Sequence, residues 1–494
     1  MNDFDKKTID MPEPSLKEKT ISGMLWSALQ RFGVMFISFV ANLILARLLL
    51  PEDFGCIGIL MVFIAISNTF IDGGFGSALI QKNNPTEEDY STIFYFNLAF
   101  SVFLYVLLWF SSRFVSEFYR IEDLDHILKV LGIILIINAS GIIQSNQLRK
   151  KLEFKKMSYI YISSMLCAGI VSILLAYHGY GVWSLVVQLI INSILVNLQL
   201  WLFNKWYPSF IFSWKSFKEL FGFGNYILLS NLLNTFCNNI QGLIIGRVFS
   251  AKDLGFYAQA RKLEEIPSTS LSQIVGQVSY PVFSKIQTDR VALKNALRKT
   301  IKSLAFINFP LMILLIVIAR PLIIFLFSEK WIESIPYFQI LCIAGIAICL
   351  QDVNYYIVAA VGRSNELFRW NVVKRSLGLL FVVVGLKFGI EGILYGMVLG
   401  SFTIYIVNAW LASKYVDYTC FSQIRDVSTT LLIAILAGIC SYMLKYLETN
   451  ELLLLIIQMF SYLLCYVIGS CLFKIEALDI YLSEFRHILN KVKL

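Results

Sequence analysis

Long apolar runs alternate with short polar connections from Gly23 to Phe473, and about fourteen of these runs reach ~20 residues, the length that crosses a ~30 Å hydrocarbon core as a helix. We place them at 23–48, 54–81, 92–112, 127–147, 158–178, 181–203, 222–247, 254–282, 302–327, 335–361, 370–387, 391–413, 428–446 and 452–473. None has the ~10-residue alternation of apolar and polar positions that a membrane barrel strand requires, so helix is expected throughout. The pattern predicts an all-α polytopic membrane protein.

The connections set the expected orientation. Lys and Arg crowd every second connection, as in Arg149, Lys150, Lys151, Lys155 and Lys156, and outnumber those in the alternate connections by roughly three to one. The N- and C-termini are therefore expected on the inner, cytoplasmic side of the membrane. No connection exceeds ~20 residues, which leaves no room for a soluble ATPase domain, and no Walker A sequence occurs.

Composition agrees with this picture. The chain is 57% hydrophobic and 15% charged over 494 residues, more apolar surface than a soluble fold of this length can hide. The net charge of +9 lies mostly in the connections, suiting membrane lipids of an anionic leaflet rather than nucleic acid. The first apolar run is too long for the core of a cleaved signal peptide, so none is expected. Nine cysteines without a CxxC and three scattered histidines give no metal spacing, and no cofactor or catalytic set is expected.

An internal repeat is visible. Arg47-Leu-Leu-Leu-Pro-Glu-Asp53-Phe-Gly55 returns as Arg247-Val-Phe-Ser-Ala-Lys-Asp253-Leu-Gly255, and Ser15-Leu-Lys17-Glu18 returns as Ser216-Phe-Lys218-Glu219. Gln144-Ser-Asn-Gln147 meets Gln351-Asp-Val-Asn354, and Gly181-Val182 meets Gly389-Ile390. Six spans per repeat give two lobes of the same orientation, an arrangement that places substrate between lobes near the midplane. The expected division is a tail at 1–22, a first lobe at 23–203, a linker at 204–221, a second lobe at 222–414, two appended spans within 415–473 and a tail at 474–494. In the matched hairpins Asp53 suits an N-cap and Arg47 the negative end of the preceding helix. Arg47, Asp53, Arg247 and Asp253 are also the candidates for a periplasmic gate.

Three segments carry a resemblance to a known family: Leu45-Ala-Arg47-x3-Pro51-x-Asp53-Phe-Gly55, Asp72-x-Gly74-Phe-Gly76-x-Ala78-Leu-Ile-Gln81 and Tyr90-Ser-Thr-x-Phe-Tyr-Phe-Asn97. They resemble the N-terminal lobe of Wzx-type flippases. These form the polysaccharide-transport branch of the multidrug/oligosaccharidyl-lipid/polysaccharide exporter superfamily. The resemblance implies a MATE-like pair of six-helix lobes with two further C-terminal helices. It also implies an undecaprenyl-pyrophosphate-linked glycan as cargo, with a polysaccharide polymerase and glycosyltransferases as partners. The alternatives are a multidrug/cation antiporter of the same superfamily and a membrane glycan polymerase or ligase. The second lacks the large external loop such an enzyme needs.

Ionisable residues inside spans are expensive and therefore mark candidate sites. Arg31 and Asp72 lie at matching depths, ~28 and ~33 Å from the first outer turn, so a contact is expected. Gly73, Gly74 and Gly76 beside Asp72 invite a helix break. Span eight carries Arg261, Lys262, Glu264 and Glu265. Arg261 and Glu265 stand at i,i+4, and two readings are open: an internal ion pair with a helix break expected before Pro267, or a cavity-lining Arg261 that receives pyrophosphate. Asp352 adds a charge beside Gln351 and Asn354. The substrate-binding candidates are Arg31, Asp72, Arg261, Lys262 and Asp352; the ion-coupling candidates are Asp72, Glu264, Glu265 and Asp352. Trp206, Tyr207 and Trp331 are expected as interfacial anchors.

Overall fold

The structure, a computed structural model, describes residues 16–447, 449–478 and 481, with side chains described from Ser22 onward apart from those at 364, 365 and 368. The predicted tails before Leu16 and beyond 478, 481 excepted, lie outside the described residues. Every described element is helical.

The first nine helices are α1 (Leu16–Leu48), α2 (Pro51–Asp72), α3 (Phe75–Gln81), α4 (Glu87–Tyr119), α5 (Leu124–Ala139), α6 (Ile142–Lys150), α7 (Phe154–Tyr177), α8 (Val182–Asn204) and α9 (Trp214–Val248). There follow α10 (Ala251–Lys285), α11 (Arg290–Val317), α12 (Ala319–Phe327), α13 (Ser334–Ala360), α14 (Ser364–Gly385), α15 (Gly389–Ser413), α16 (Cys420–Tyr442) and α17 (Glu451–Leu472). Each predicted apolar run is covered by helix, and three runs are covered by two helices in succession: α2 with α3, α5 with α6, and α11 with α12.

By length and apolarity alone, 11 segments among the described residues qualify as membrane spans. The difference from fourteen has two physical sources. The segment 369–413 is continuous in apolarity but holds α14 and α15, and α9 and α10 carry too many amides and charges to qualify. Large apolar side chains stand exposed, among them Phe110 at 79% and Phe460 at 69%. Such a surface suits lipid rather than water.

The described chain forms two compact units: residues to Leu49 with Ile59–Asn238, and Leu50–Gly58 with the residues from Asn239 onward. Inside the first, α4 packs on α5, α5 on α8, and α8 on α7, which also carries α1. Inside the second, α11 packs on α13, α13 on α15, and α15 on α14, while α16 and α17 pack beside α11 and α12. The series α4–α5–α8–α7 in the first unit thus has the counterpart α11–α13–α15–α14 in the second.

The matched hairpin segments explain their own sequence. Pro51 opens α2, where its missing N–H is harmless, and the Leu50 N–H donates to Asp53 Oδ2 at 2.9 Å. Asp53 therefore sits as the third helical residue reaching back, not at the N-cap as expected, because the proline takes the first helical position. At α10 the N-cap is Ser250, whose hydroxyl accepts from the Asp253 N–H at 3.1 Å and donates to Asp253 Oδ2 at 2.6 Å. Arg47 and Arg247 end α1 and α9 in their last turns, where a cation meets the negative helix end.

Within the second unit the starts of α2 and α10 approach reciprocally. A Cβ on Gly55 would stand 1.8 Å from the Ala251 carbonyl oxygen, and one on Gly255 would stand 1.9 Å from that of Pro51. Trp331 is completely buried beside them, with ring centroids 5.4 Å from Phe54, 5.9 Å from Phe256 and 6.1 Å from Phe327. It is a core residue and not the interfacial anchor expected, because aromatic side chains from α2, α10 and α12 enclose it. Trp206 does have the polar tether of an anchor, its indole N–H donating to Glu87 Oε2 at 2.9 Å.

Candidate functional site

In the first unit the predicted break after Asp72 is present. Gly73 and Gly74 have φ of 53° and 74°, and α3 begins at Phe75. Only glycine fits at 74, since an added Cβ would lie 2.4 Å from the Gly224 carbonyl oxygen. The break turns the end of α2 toward α6. The Asp72 carboxylate accepts from the backbone N–H groups of Gly74 and Gly76 and lies in the field of the Arg149 guanidinium. The expected Arg31–Asp72 contact is not formed: Arg31 is exposed on α1 and pairs with no carboxylate among the described residues.

A second break divides α5 from α6 at Ser140 and Gly141. Gly141 faces α8 so closely that a Cβ there would sit 1.9 Å from Asn197 Oδ1. Between these breaks lies a cavity of about 360 Å³. Asp72 and Arg149 line it, with the amides of Asn138, Asn146, Asn192 and Asn197. Ser145, Ser193 and Tyr161 add hydroxyl groups. Asn146 is buried, and its amide nitrogen has no hydrogen-bond partner among the described residues. Lys150, at the end of α6, donates to the Leu79 carbonyl at 3.0 Å and to that of Lys82, so it caps the negative end of α3. Sequence reasoning singled out Asp72 but assigned Arg149 to a basic connection and passed over the asparagines. The signal was four amides within otherwise apolar spans.

In the second unit the charged turn of α10 is laid out by helix geometry. Arg261 Nε donates to Glu265 Oε1 at 2.6 Å, as the i,i+4 spacing predicts, and Arg261 Nη1 donates to the Tyr257 hydroxyl at 3.0 Å. Arg261 keeps 28% of its side chain exposed and Glu265 45%. Glu264 points the other way, into the interior at 3% exposure, and its Oε1 has no hydrogen-bond partner among the described residues. That oxygen would lie 2.7 Å from a Cβ placed on Gly345, so Glu264 is packed against α13.

The helix break expected before Pro267 is absent, and α10 runs on through Pro267 and Pro281. Two hydroxyls follow the proline on the same helix: Ser268 Oγ donates to the Glu264 carbonyl at 3.1 Å and Ser270 Oγ to the Ile266 carbonyl at 2.6 Å.

Asp352 on α13 accepts from Ser272 Oγ on α10 and lies in the field of Lys374. Lys374 lies inside the predicted span 370–387 and was not singled out from the sequence. It is 3% exposed inside α14 and donates to Asn408 Oδ1 at 2.6 Å. Asn408 Nδ2 in turn donates to the Gln351 carbonyl at 3.0 Å. Asn354 and Gln423 exchange amide hydrogen bonds at 3.0 and 2.9 Å. The second unit therefore holds a buried polar string as well as the exposed Arg261 pair. No group of His, Cys, Asp and Glu suited to a metal ion occurs among the described residues.

Comparison with known proteins locates this arrangement. Teichuronic acid biosynthesis protein TuaB of Bacillus subtilis is 27% identical over 432 residues, covering 87% of this chain and 89% of that protein. Lipopolysaccharide biosynthesis protein WzxC of Escherichia coli is 26% identical over 400 residues, 81% of each chain. Succinoglycan biosynthesis transport protein ExoT of Rhizobium meliloti is 24% identical and covers 73% of each. Among solved structures, the inward closed conformation of the lipid II flippase MurJ superposes with a TM-score of 0.75 at 16% identity, covering 91% of this chain and 98% of that one. An inward-facing multidrug resistance MATE family transporter of the MOP superfamily gives 0.58 at 14% identity, covering 79% and 98%. The fold is thus that of these all-helical transporters. The family described as polysaccharide biosynthesis protein matches residues 44–336, more than half of the sequence, and the chain belongs to that family.

Proposed function

We propose that this protein is a flippase that carries an undecaprenyl-pyrophosphate-linked oligosaccharide across the bacterial inner membrane, with both termini cytoplasmic. The observation that carries the reading is Arg261, a permanently charged, partly exposed guanidinium eleven residues into the 35-residue α10, held by Glu265 and Tyr257. Sugars and pyrophosphate cannot enter hydrocarbon without replacements for their hydration, whereas a polyprenyl tail stays in lipid. A guanidinium supplies that replacement for phosphate oxygens through paired N–H groups. Lys262, its neighbour, adds a second cation to the same turn. The names of TuaB, WzxC and ExoT, all tied to surface or secreted polysaccharides, support this cargo over a drug or a simple cation.

Transport follows by alternating access of the two lobes of the repeat. The matched hairpins that carry Arg47, Asp53, Arg247 and Asp253 are the candidate gate on the side opposite the termini. Glu264, interior and with an oxygen that has no hydrogen-bond partner among the described residues, is the leading coupling group, with Asp352 second.

Complementation of a strain lacking its repeat-unit flippase tests the reading. Arg261→Ala is expected to abolish surface polysaccharide at normal membrane abundance, and Arg261→Lys to keep part of it, since the charge survives without the fork. Glu265→Gln should matter less. Normal export by Arg261→Ala overturns the assignment of Arg261.

A further inference from the structure

The cavity of the first unit has a chemistry that the transport of a charged headgroup does not by itself require. We propose that it is a binding site for one sugar residue of the carried glycan, a reading that rests on the flippase function above.

Asp72 is acceptor-only, Arg149 is donor-only, and the asparagines supply both kinds of group side by side. A phosphate would meet Arg149 but be repelled by Asp72, and a lone cation would meet the reverse. A ring of hydroxyls, each both donor and acceptor, uses every one of these groups. Tyr161 adds an aromatic face with a hydroxyl at its edge, a surface that accepts the C–H face of a pyranose.

Asn146 supplies the second observation. Its side chain is 7% exposed, and its Nδ2 has no partner among the described residues. A buried donor left open in this way asks for an acceptor. A Cβ placed on Gly76 would lie 3.0 Å from both that nitrogen and Asp72 Oδ1, so the open donor and the carboxylate converge on one point of the wall. Neither an acyl chain nor an apolar drug could satisfy them.

Helix architecture points to the same place. Asp72 and Gly141, which end one helix segment and precede another at the two breaks, both line the cavity. Interrupted membrane helices are tolerated where they line a polar site, because their freed backbone groups then find partners. The volume of about 360 Å³ lies at the small end of the ~300–1,000 Å³ range of small-molecule pockets. It suits one sugar or two, not a whole repeat unit.

The test measures two affinities for the full-length protein in nanodiscs: for undecaprenyl pyrophosphate without sugar, and for the lipid-linked repeat unit purified from the native host. The ratio of the two is the readout. The wild type should prefer the glycosylated lipid, and Asn146→Ala should lower that preference ~10-fold, the loss expected from two or three hydrogen bonds. Asn192→Ala, at a half-buried position, serves in the same way where Asn146→Ala fails to fold. A wild-type ratio retained by these variants overturns the sugar site and leaves the flippase reading intact. A wild type that binds both lipids equally does the same, whereas a wild type that binds neither lipid overturns both.

Discussion

Because α2 stops at Asp72, its carboxylate takes the N–H groups of Gly74 and Gly76 and faces Arg149, and Arg31 is left exposed. Depth along two helices was readable from residue counts, but the direction of a side chain at a helix end was not. The glycines that turn it were visible and their consequence was not drawn. Arg31→Ala should therefore change stability by no more than ~0.5 kcal/mol, as expected for an exposed side chain, in a thermal melt of the detergent-solubilised protein. A loss of folded protein would restore the paired reading. Trp331→Ala is the opposite case: its ring is fully enclosed by Phe54, Phe256 and Phe327, and removing it should cost ~3–5 kcal/mol. The sequence placed Trp331 beside the charged run Ser328-Glu-Lys, which resembles an interfacial anchor. The enclosing rings come from segments more than seventy residues earlier as well as from its own, and no local pattern reports them.

At the scale of elements, almost all of the helices were legible, since apolar length and membrane thickness fix them together. Segmentation was partly legible. The Gly73-Gly74 break follows from two adjacent glycines, but Ser140-Gly141 gives a weaker signal, and α10 runs through Pro267 without a break. Lys374 carried no signal of its own in the sequence. A lysine near a span end ordinarily reaches for the interface, and only the buried Asn408 acceptor on α15 holds it inside. The hairpin glycines yield a comparative prediction. Gly55→Ala and Gly255→Ala each place a methyl group within 2 Å of a carbonyl oxygen, at matched positions in the repeat. Each should destabilise by ~1–3 kcal/mol, the usual cost of overpacking, and by similar amounts. Gly222→Ala, which meets nothing within 4 Å inside α9, should be neutral or stabilising by up to ~1 kcal/mol. Equal melting temperatures for Gly55→Ala and wild type would show that the hairpins do not hold the approach described.

For the whole molecule, the repeat was legible because matched hairpins keep the same residues for the same physical reason. Asp53 and Asp253 both turn back on the start of a helix, and Gly55 and Gly255 both let a neighbouring backbone pass. The pocket of the first unit was not legible, because its walls come from α2, α5, α6, α7 and α8 and the sequence states none of those adjacencies. Orientation is the property on which every assignment of an entry side depends, and it rests on the distribution of Lys and Arg. Labelling of single cysteines tests it. The nine native cysteines are all free, and Cys167, Cys440 and Cys471 are exposed, so a background lacking them is required. Arg113 has an 85% exposed side chain beyond the apolar part of α4, and Asn450 is exposed before α17. Lys151, just after α6, is exposed near the opposite ends of its neighbouring helices. In intact cells an impermeant thiol reagent should label Arg113→Cys and Asn450→Cys but reach Lys151→Cys only after the membrane is opened. The reverse pattern would invert the protein in the membrane, turn the Arg149 end of the sugar pocket outward, and require that pocket to receive its glycan on release rather than on entry.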